Sequence, residues 1–270
     1  MGFVGMRYAR FLRKRDLSPV LGWLEGDQAG IIAGPLFEAH RRLPASLPLG
    51  TVRLLAPLIP GKILCVGRNF ADHAREHHAD IPDVPLIFMK PPSAVIGPGE
   101  AIVLPPQSGQ VEHEAELAVV IGRRIRNATP DEAMAAVFGY TIANDVTARD
   151  LQQRDGQWTR AKSFDTFCPL GPWIDTEVNP NDLRITCRVN GRIRQLESTR
   201  DMVFSIPQLL TFVSGIMTLD PGDILLTGTP AGVGKLEPGD IVQVEIEGIG
   251  ILENPVTGPE AAEPENIQPD

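Results

Sequence analysis

The sequence predicts a strand-dominated α+β fold, with a small β-rich N-terminal domain at residues 1–58 and a larger domain at 59–256. Three observations predict it. Short apolar runs recur between breaks, and the chain's 26 Gly and 25 Pro suit many turns between short strands. Only three segments carry strong helix signals. No regular alternation of strand and helix is present, and neither GxGxxG nor a P-loop occurs. A hydrophobic content of 43% is enough to build a sizeable core rather than a disordered chain.

The elements follow in order. Val20–Leu24 and Gly30–Gly34 read as two strands around a Gly26-Asp27 turn. Leu55 to Pro60 resembles a Pro-rich linker. Ile63–Gly67 is a short apolar strand, and Asn69–Glu76 a helical turn or loop. Pro82 to Pro98 carries repeated prolines, so it is extended or looped. Val111–Ile121 reads as one long strand. Thr129-Pro130-Asp131-Glu132 is a helix start with a Thr cap, Pro at the first position and a capping-box Glu. That helix is predicted to end near Gly139. Tyr140–Ala143 then reads as a strand and Asn144–Arg154 as a second helix. Asn190-Gly191 between apolar runs is a hairpin signal. Ser205–Ile216, with Gln208 three residues into it, is a third helix. Pro221-Gly222-Asp223 and Pro238-Gly239-Asp240 each introduce an apolar strand. Residues 257–270 are acidic and Pro-rich, and are expected to be disordered.

Composition excludes several classes. The net charge of −9 argues against a nucleic-acid surface. The five basic residues between Met1 and Asp16 have no long apolar run behind them, so neither a signal peptide nor a membrane span is expected. Cys65, Cys168 and Cys187 match no zinc or disulfide spacing, which suits a cytoplasmic setting.

The most informative segment is Gln110-Val111-Glu112-His113-Glu114-Ala115-Glu116-Leu117-Ala118-Val119-Val120. Side chains alternate along a strand, so Glu112, Glu114 and Glu116 share one face and His113, Ala115 and Leu117 the other. Like charges in a row repel; if buried, they are driven to protonate or to bind a cation. Oxygen-only ligation favours Mg²⁺ or Mn²⁺ over zinc. On periodicity alone, a solvated edge strand studded with Glu is the better explanation of the row. A further carboxylate, Asp145, stands where a strand is expected to meet a helix.

Glu114-Ala115-Glu116-Leu117 together with Asn144-Asp145-Val146-Thr147-Ala148-Arg149-Asp150 resembles the metal-binding signature of the fumarylacetoacetate hydrolase family. Further segments are similar in the same order: Cys65 to His73, Phe88-Met89-Lys90-Pro91, Lys162-Ser163-Phe164-Asp165, and Thr227 to Gly234. The resemblance spans residues 62–255 and implies a mixed β-roll with short helices around a divalent metal. It implies Glu114, Glu116 and Asp145 as metal ligands, and gives no ligand role to Glu112 or His113.

The resemblance further implies Lys162 as an active-site lysine, Gln152 as a group facing substrate or water, and a His73–Glu76 dyad that activates water on a mobile lid. His77 and His78 remain bystanders in this alignment. Arg68, Lys90 and Thr229 are candidate substrate contacts, the first two for a distal carboxylate. Members of the family usually form homodimers and act on small 2-oxo acids, which chelate the metal through carboxylate and keto oxygens. The stretch Gln157 to Phe167 looks most like members that isomerise or decarboxylate 2-hydroxy-dienoate diacids. Acylpyruvate hydrolysis and oxaloacetate decarboxylation are the alternatives, and a metal-binding protein without catalysis is a remote one. Cys65 and Cys168 are expected to be buried and structural.

Overall fold

The computed structural model describes residues 6–13, 18–76 and 80–258. His77, His78 and the tail from residue 259 onward lie outside this set.

Strands β1 (Arg7–Arg13), β2 (Val20–Glu25) and β3 (Gln28–Ala33) form an antiparallel meander, with the β2–β3 turn at Gly26-Asp27 as the sequence predicts. Residues 55–58 and Pro60 are buried, so the Pro-rich connection is packed rather than a loose linker. Then come β4 (Ile63–Gly67), α1 (Ala71–Glu76) and β5 (Leu86–Lys90). The centre of the chain supplies β6 (Val111–His113), β7 (Ala115–Ile121), α2 (Pro130–Ala135), β8 (Val137–Asn144), α3 (Arg149–Asp155), α4 (Thr159–Lys162) and β9 (Cys168–Asp175). Then follow β10 (Arg184–Val189), β11 (Arg192–Ser198), α5 (Ile206–Ile216), β12 (Ile224–Leu226), β13 (Ile241–Ile246) and β14 (Gly250–Thr257), with shorter strands between the named ones. The result is strand-dominated α+β, as expected.

A 13-stranded mixed sheet runs β3-β2-β1-β9-β8-β7-β12-β4-β5 along its main path. Its β12–β4 contact is parallel. A five-stranded sheet holds β14-β13-β10-β11, and β10 and β11 are joined by the predicted Asn190-Gly191 hairpin. Both turn residues have positive φ, at 52° and 74°, the geometry that selects Asn-Gly there.

Strand β7 explains why the site is buried. All seven of its residues are buried, because both faces are covered. Leu117, Val119 and Ile121 join the larger core, which also contains Leu209, Leu210 and Val213 of α5. Ala118 and Val120 point the other way, into a core with Ile63, Cys65, Leu170 and Ile224. Glu116 shares the face of Ala118 and Val120, so a carboxylate enters an otherwise apolar layer.

Three expectations are corrected. Residues 111–121 form two strands, because the chain changes partners at Glu114. The Glu114 N–H donates to the Asn144 side chain at 2.9 Å, and its carbonyl accepts from Asp145 N–H at 2.8 Å. The helix expected from Asn144 starts only at Arg149, since Asn144 still pairs with Ala115 in the β7–β8 ladder. Gly139 does not end a helix. Helix α2 ends at Ala135 with Ala136 as its cap, and Val137 and Phe138, β-branched and aromatic, already belong to β8. Both predicted capping boxes, Thr129–Glu132 and Ser205–Gln208, are formed. Cys65, Cys168 and Cys187 are all free and buried.

Candidate metal centre and active site

The crossing at Glu114 turns three carboxylates towards one point. Glu114 sits between β6 and β7, Glu116 is the second residue of β7, and Asp145 follows the last residue of β8. Ala115 pairs with Asn144 and Glu116 with Ala143, so the register sets Asp145 beside the two glutamates. One oxygen from each of Glu114, Glu116 and Asp145 lies within 4.8 Å of the others, and all three residues are buried. Asp145 therefore reaches the cluster from a strand end, not from the helix start that the sequence suggested.

Charge neutralisation is built in. Lys162 Nζ, from the end of α4, bonds Glu114 at 2.9 Å and Asp145 at 2.7 Å. Lys90 Nζ, from the end of β5, bonds the other Asp145 oxygen at 2.6 Å and Val146 O at 3.0 Å. Arg149 donates from one guanidinium to Glu112 at 2.8 Å, to Gln152 at 2.6 Å, and closely to Glu114. Burial alone would raise the Glu114 carboxyl, but Lys162 and Arg149 hold it well below the usual carboxylate range. Glu116 is the opposite case. Burial, with Asp145 and Glu114 beside it, pushes its carboxyl well above the usual range.

These residues fit a hard divalent ion. The donors are all carboxylate oxygens, the type that suits Mg²⁺ or Mn²⁺. A cation at their centre would also offset the burial and repulsion that disfavour the Glu116 carboxylate.

Glu116 is aimed by backbone. Its carboxylate accepts the Gly228 N–H at 2.7 Å. Gly228 has φ of 96°, and a Cβ there would meet Asn69 Cβ at 2.8 Å and Val66 O at 3.1 Å. Asn69 is itself fixed, bonding Thr227 O at 2.8 Å and both backbone groups of Phe204. Gly228→Ala is therefore expected to destabilise by about 1–3 kcal/mol from backbone strain and to weaken metal binding. Thermal unfolding and a calorimetric Mn²⁺ titration check both effects.

A cavity of about 210 Å³ opens over Glu114 and Glu116, and Arg68, His73, Gln152, Lys162 and Thr229 line it. Arg68, half-buried with φ of 57°, stands on its rim between this cavity and an outer groove. Phe88 and Trp158, packed edge to face at 5.2 Å, form the wall between the two, and Lys162 Nζ lies 4.8 Å from the centre of the Phe88 ring. His73 is 7% exposed, so it faces the cavity rather than bulk solvent. Its Nδ1 lies 3.5 Å from Glu76, one turn on along α1. Glu76 also accepts the Gly232 N–H, at 3.1 Å to each oxygen, which ties α1 to the loop after Gly228. The Thr229 hydroxyl donates to Ala115 O at 3.0 Å.

Of the residues singled out from sequence, Lys90 is placed elsewhere. Its side chain is buried with the ammonium on Asp145, and it lines the outer groove rather than this cavity. Glu112 has no place among the three converging carboxylates; it holds Arg149. Sequence reasoning gave no role to Arg149, Asn69 or Asn144, although all three lie inside the matching motifs. Gln195 was missed too, for it stands in a stretch of exposed side chains.

A family model described as fumarylacetoacetate (FAA) hydrolase C-terminal matches residues 62–257, and one described as Rv2993c-like, N-terminal, matches residues 6–57. A mitochondrial oxaloacetate tautomerase of Rattus norvegicus is 48% identical over 236 residues, which cover 82% of this chain and 75% of that protein. The solved 2-hydroxyhepta-2,4-diene-1,7-dioate isomerase from Mycobacterium marinum superposes with a TM-score of 0.88 at 43% identity, covering 95% of this chain and 100% of that one. The 5-carboxymethyl-2-hydroxymuconate delta-isomerase from Mycobacterium smegmatis gives 0.85 at 44% identity, covering 93% and 99%.

Proposed function

Because the chain belongs to the fumarylacetoacetate hydrolase family, we propose that it is a divalent-metal-dependent enzyme that moves a proton within a small 2-oxo dicarboxylic acid. The reaction is keto–enol tautomerisation or isomerisation of the related 2-hydroxy-dienoate. The observation that carries this reading is the convergence of Glu114, Glu116 and Asp145, the two glutamates lining a cavity that His73 also lines. The tautomerase and the two isomerases named above favour a proton shift over bond cleavage, since each name describes one. Magnesium or manganese as the ion, and a homodimer as the assembly, belong to the same reading.

When bound, the ion would polarise the 2-oxo group and stabilise negative charge on its oxygen. The protein's own groups do the rest. His73 takes the proton from the carbon beside the 2-oxo group and returns it elsewhere, and Glu76 orients the ring for that exchange. Lys162 holds Glu114 and Asp145 side by side through its ammonium. Gln152 is pinned by Arg149 and presents its amide to the ligand. Phe88 and Trp158 screen the reacting carbon from bulk water. Arg68, which lines both the cavity and the outer groove, takes the distal carboxylate in this reading.

The His73–Glu76 pair also favours a second reading. An imidazole oriented by a carboxylate activates water as readily as carbon acids, so hydrolysis of an acylpyruvate is the competing reaction. Assays on oxaloacetate, a 2-hydroxy-dienoate diacid and an acylpyruvate separate the two. The proposal expects proton-shift turnover on one of the first two, lost in chelator and restored by Mg²⁺ or Mn²⁺. Turnover of the acylpyruvate alone favours hydrolysis, and turnover indifferent to chelator contradicts both.

His73→Ala is expected to lower kcat by roughly 10²–10⁴-fold, the usual worth of a general base, with KM little changed. Steady-state kinetics check it, and a pure rise in KM would remove His73 from the chemistry.

A further inference from the structure

We infer that Gln195 is a positioning residue for this site, acting from the second sheet on both Thr229 and the peptides that join Glu114 to Glu116. The neighbouring side chains of β11 (Arg192, Ile193, Arg194 and Leu196) are exposed, while Gln195 is completely buried. Its amide uses its full bonding capacity. Oε1 accepts from Ala115 N–H at 3.1 Å and lies 3.1 Å from His113 Nδ1. Nε2 donates to Thr229 Oγ at 2.8 Å and to Pro230 O at 2.7 Å. A flipped amide would set Nε2 against the Ala115 N–H and Oε1 against the Pro230 carbonyl, so one orientation alone satisfies these groups. His113 must then carry its proton on Nδ1.

The circuit closes through Thr229, whose hydroxyl donates to Ala115 O at 3.0 Å. Both backbone groups of Ala115 are thus held by Gln195, one directly and one through Thr229. Ala115 is the residue between two candidate metal ligands, so this clamp sets how far apart the Glu114 and Glu116 side chains start. The Thr229 hydroxyl has spent its proton on Ala115 O and one lone pair on Gln195, so it presents its remaining lone pair to the cavity in a fixed direction. None of these bonds reaches Lys90, Lys162 or Gly228, which hold the carboxylates from other sides.

The part concerning Thr229 rests on the proposed function, in which Thr229 meets the ligand; the part concerning Ala115 does not. The test is a double-mutant cycle with Gln195→Met and Thr229→Val in the full chain, read by Mn²⁺ titration calorimetry and by KM and kcat in the oxaloacetate assay. Gln195→Met is expected to weaken Mn²⁺ binding about tenfold and to raise KM about tenfold, roughly what one lost buried hydrogen bond is worth. The double variant should have a KM no higher than the worse single one. A fall in Tm with native Mn²⁺ affinity and native KM would overturn the inference, as would additive effects on KM. Should Gln195→Met not fold, Gln195→Glu decides. It keeps the acceptor for Ala115 and His113 and loses both donors, so raised KM with retained Mn²⁺ binding supports the inference and native KM overturns it. If Thr229→Val alone leaves KM unchanged, Thr229 does not meet the ligand and the part of the inference built on it fails. Loss of Mn²⁺ affinity in Gln195→Met would still sustain the Ala115 clamp.

Discussion

Glu116→Gln is expected to abolish metal-dependent turnover while leaving a folded protein. The substitution conserves shape, and the amide oxygen still accepts the Gly228 N–H that now meets the carboxylate at 2.7 Å. What it removes is the charge. In the metal-free protein that removal is favourable, because Glu116 is buried beside Asp145 and Glu114 and its carboxylate form is disfavoured there. The variant should therefore unfold in chelator at or slightly above the native temperature. With Mg²⁺ or Mn²⁺ present the comparison reverses. A site of three carboxylates becomes a site of two, and calorimetry should show affinity reduced on the order of 100-fold or more, the upper range for loss of supporting groups at metal sites. Turnover should fall at least as far. A variant with native metal affinity would place the ion elsewhere. Asp145→Ala is a poorer test of the same point, since it also strands Lys90 and Lys162, whose ammonium groups Asp145 holds at 2.6 and 2.7 Å.

Lys90→Met should be among the most destabilising single changes in the protein. Both members of the Lys90–Asp145 pair have fully buried side chains. Removing one partner of a buried pair costs about 3–5 kcal/mol, and the lower end applies here because Lys162 still holds the other Asp145 oxygen at 2.7 Å. For a chain of this size each kcal/mol shifts Tm by roughly 2–4 °C, so a fall of about 10 °C is expected in chelator. Divalent metal should recover part of that loss, since it supplies positive charge to the same carboxylate. The metal-induced rise in Tm should accordingly exceed that of the native protein. The role first suggested for Lys90, gripping a substrate carboxylate, predicts the opposite pattern: native Tm with a raised KM. Scanning calorimetry with and without Mg²⁺ decides between them.

Much of the site was legible because its residues are contiguous in sequence. Glu114 and Glu116 stand two apart on an extended chain, and alternation alone turns them the same way. Thr129 and Ser205 announced their helices by capping chemistry that depends on residues three apart. Lys162, Gln152 and His73 were legible only through resemblance, since a lone Lys, Gln or His carries no spacing signal. What remained hidden depends on long-range pairing. The break at Glu114 exists because Asn144, thirty residues away, offers its side chain to the Glu114 N–H. Lys90 looked like a ligand-binding cation because nothing local reveals that β5 ends behind Asp145. Gln195 follows a hairpin in a run of exposed side chains, and only the packing of one sheet on the other buries it. Thr159–Lys162 is a single helical turn without a capping side chain, too short for any periodicity to mark it.

The most direct measurement is anomalous diffraction from a crystal soaked in Mn²⁺. One strong peak should lie within bonding distance of an oxygen from each of Glu114, Glu116 and Asp145. A peak touching fewer than two of these side chains, or no peak in this cavity at saturating Mn²⁺, would contradict the assignment.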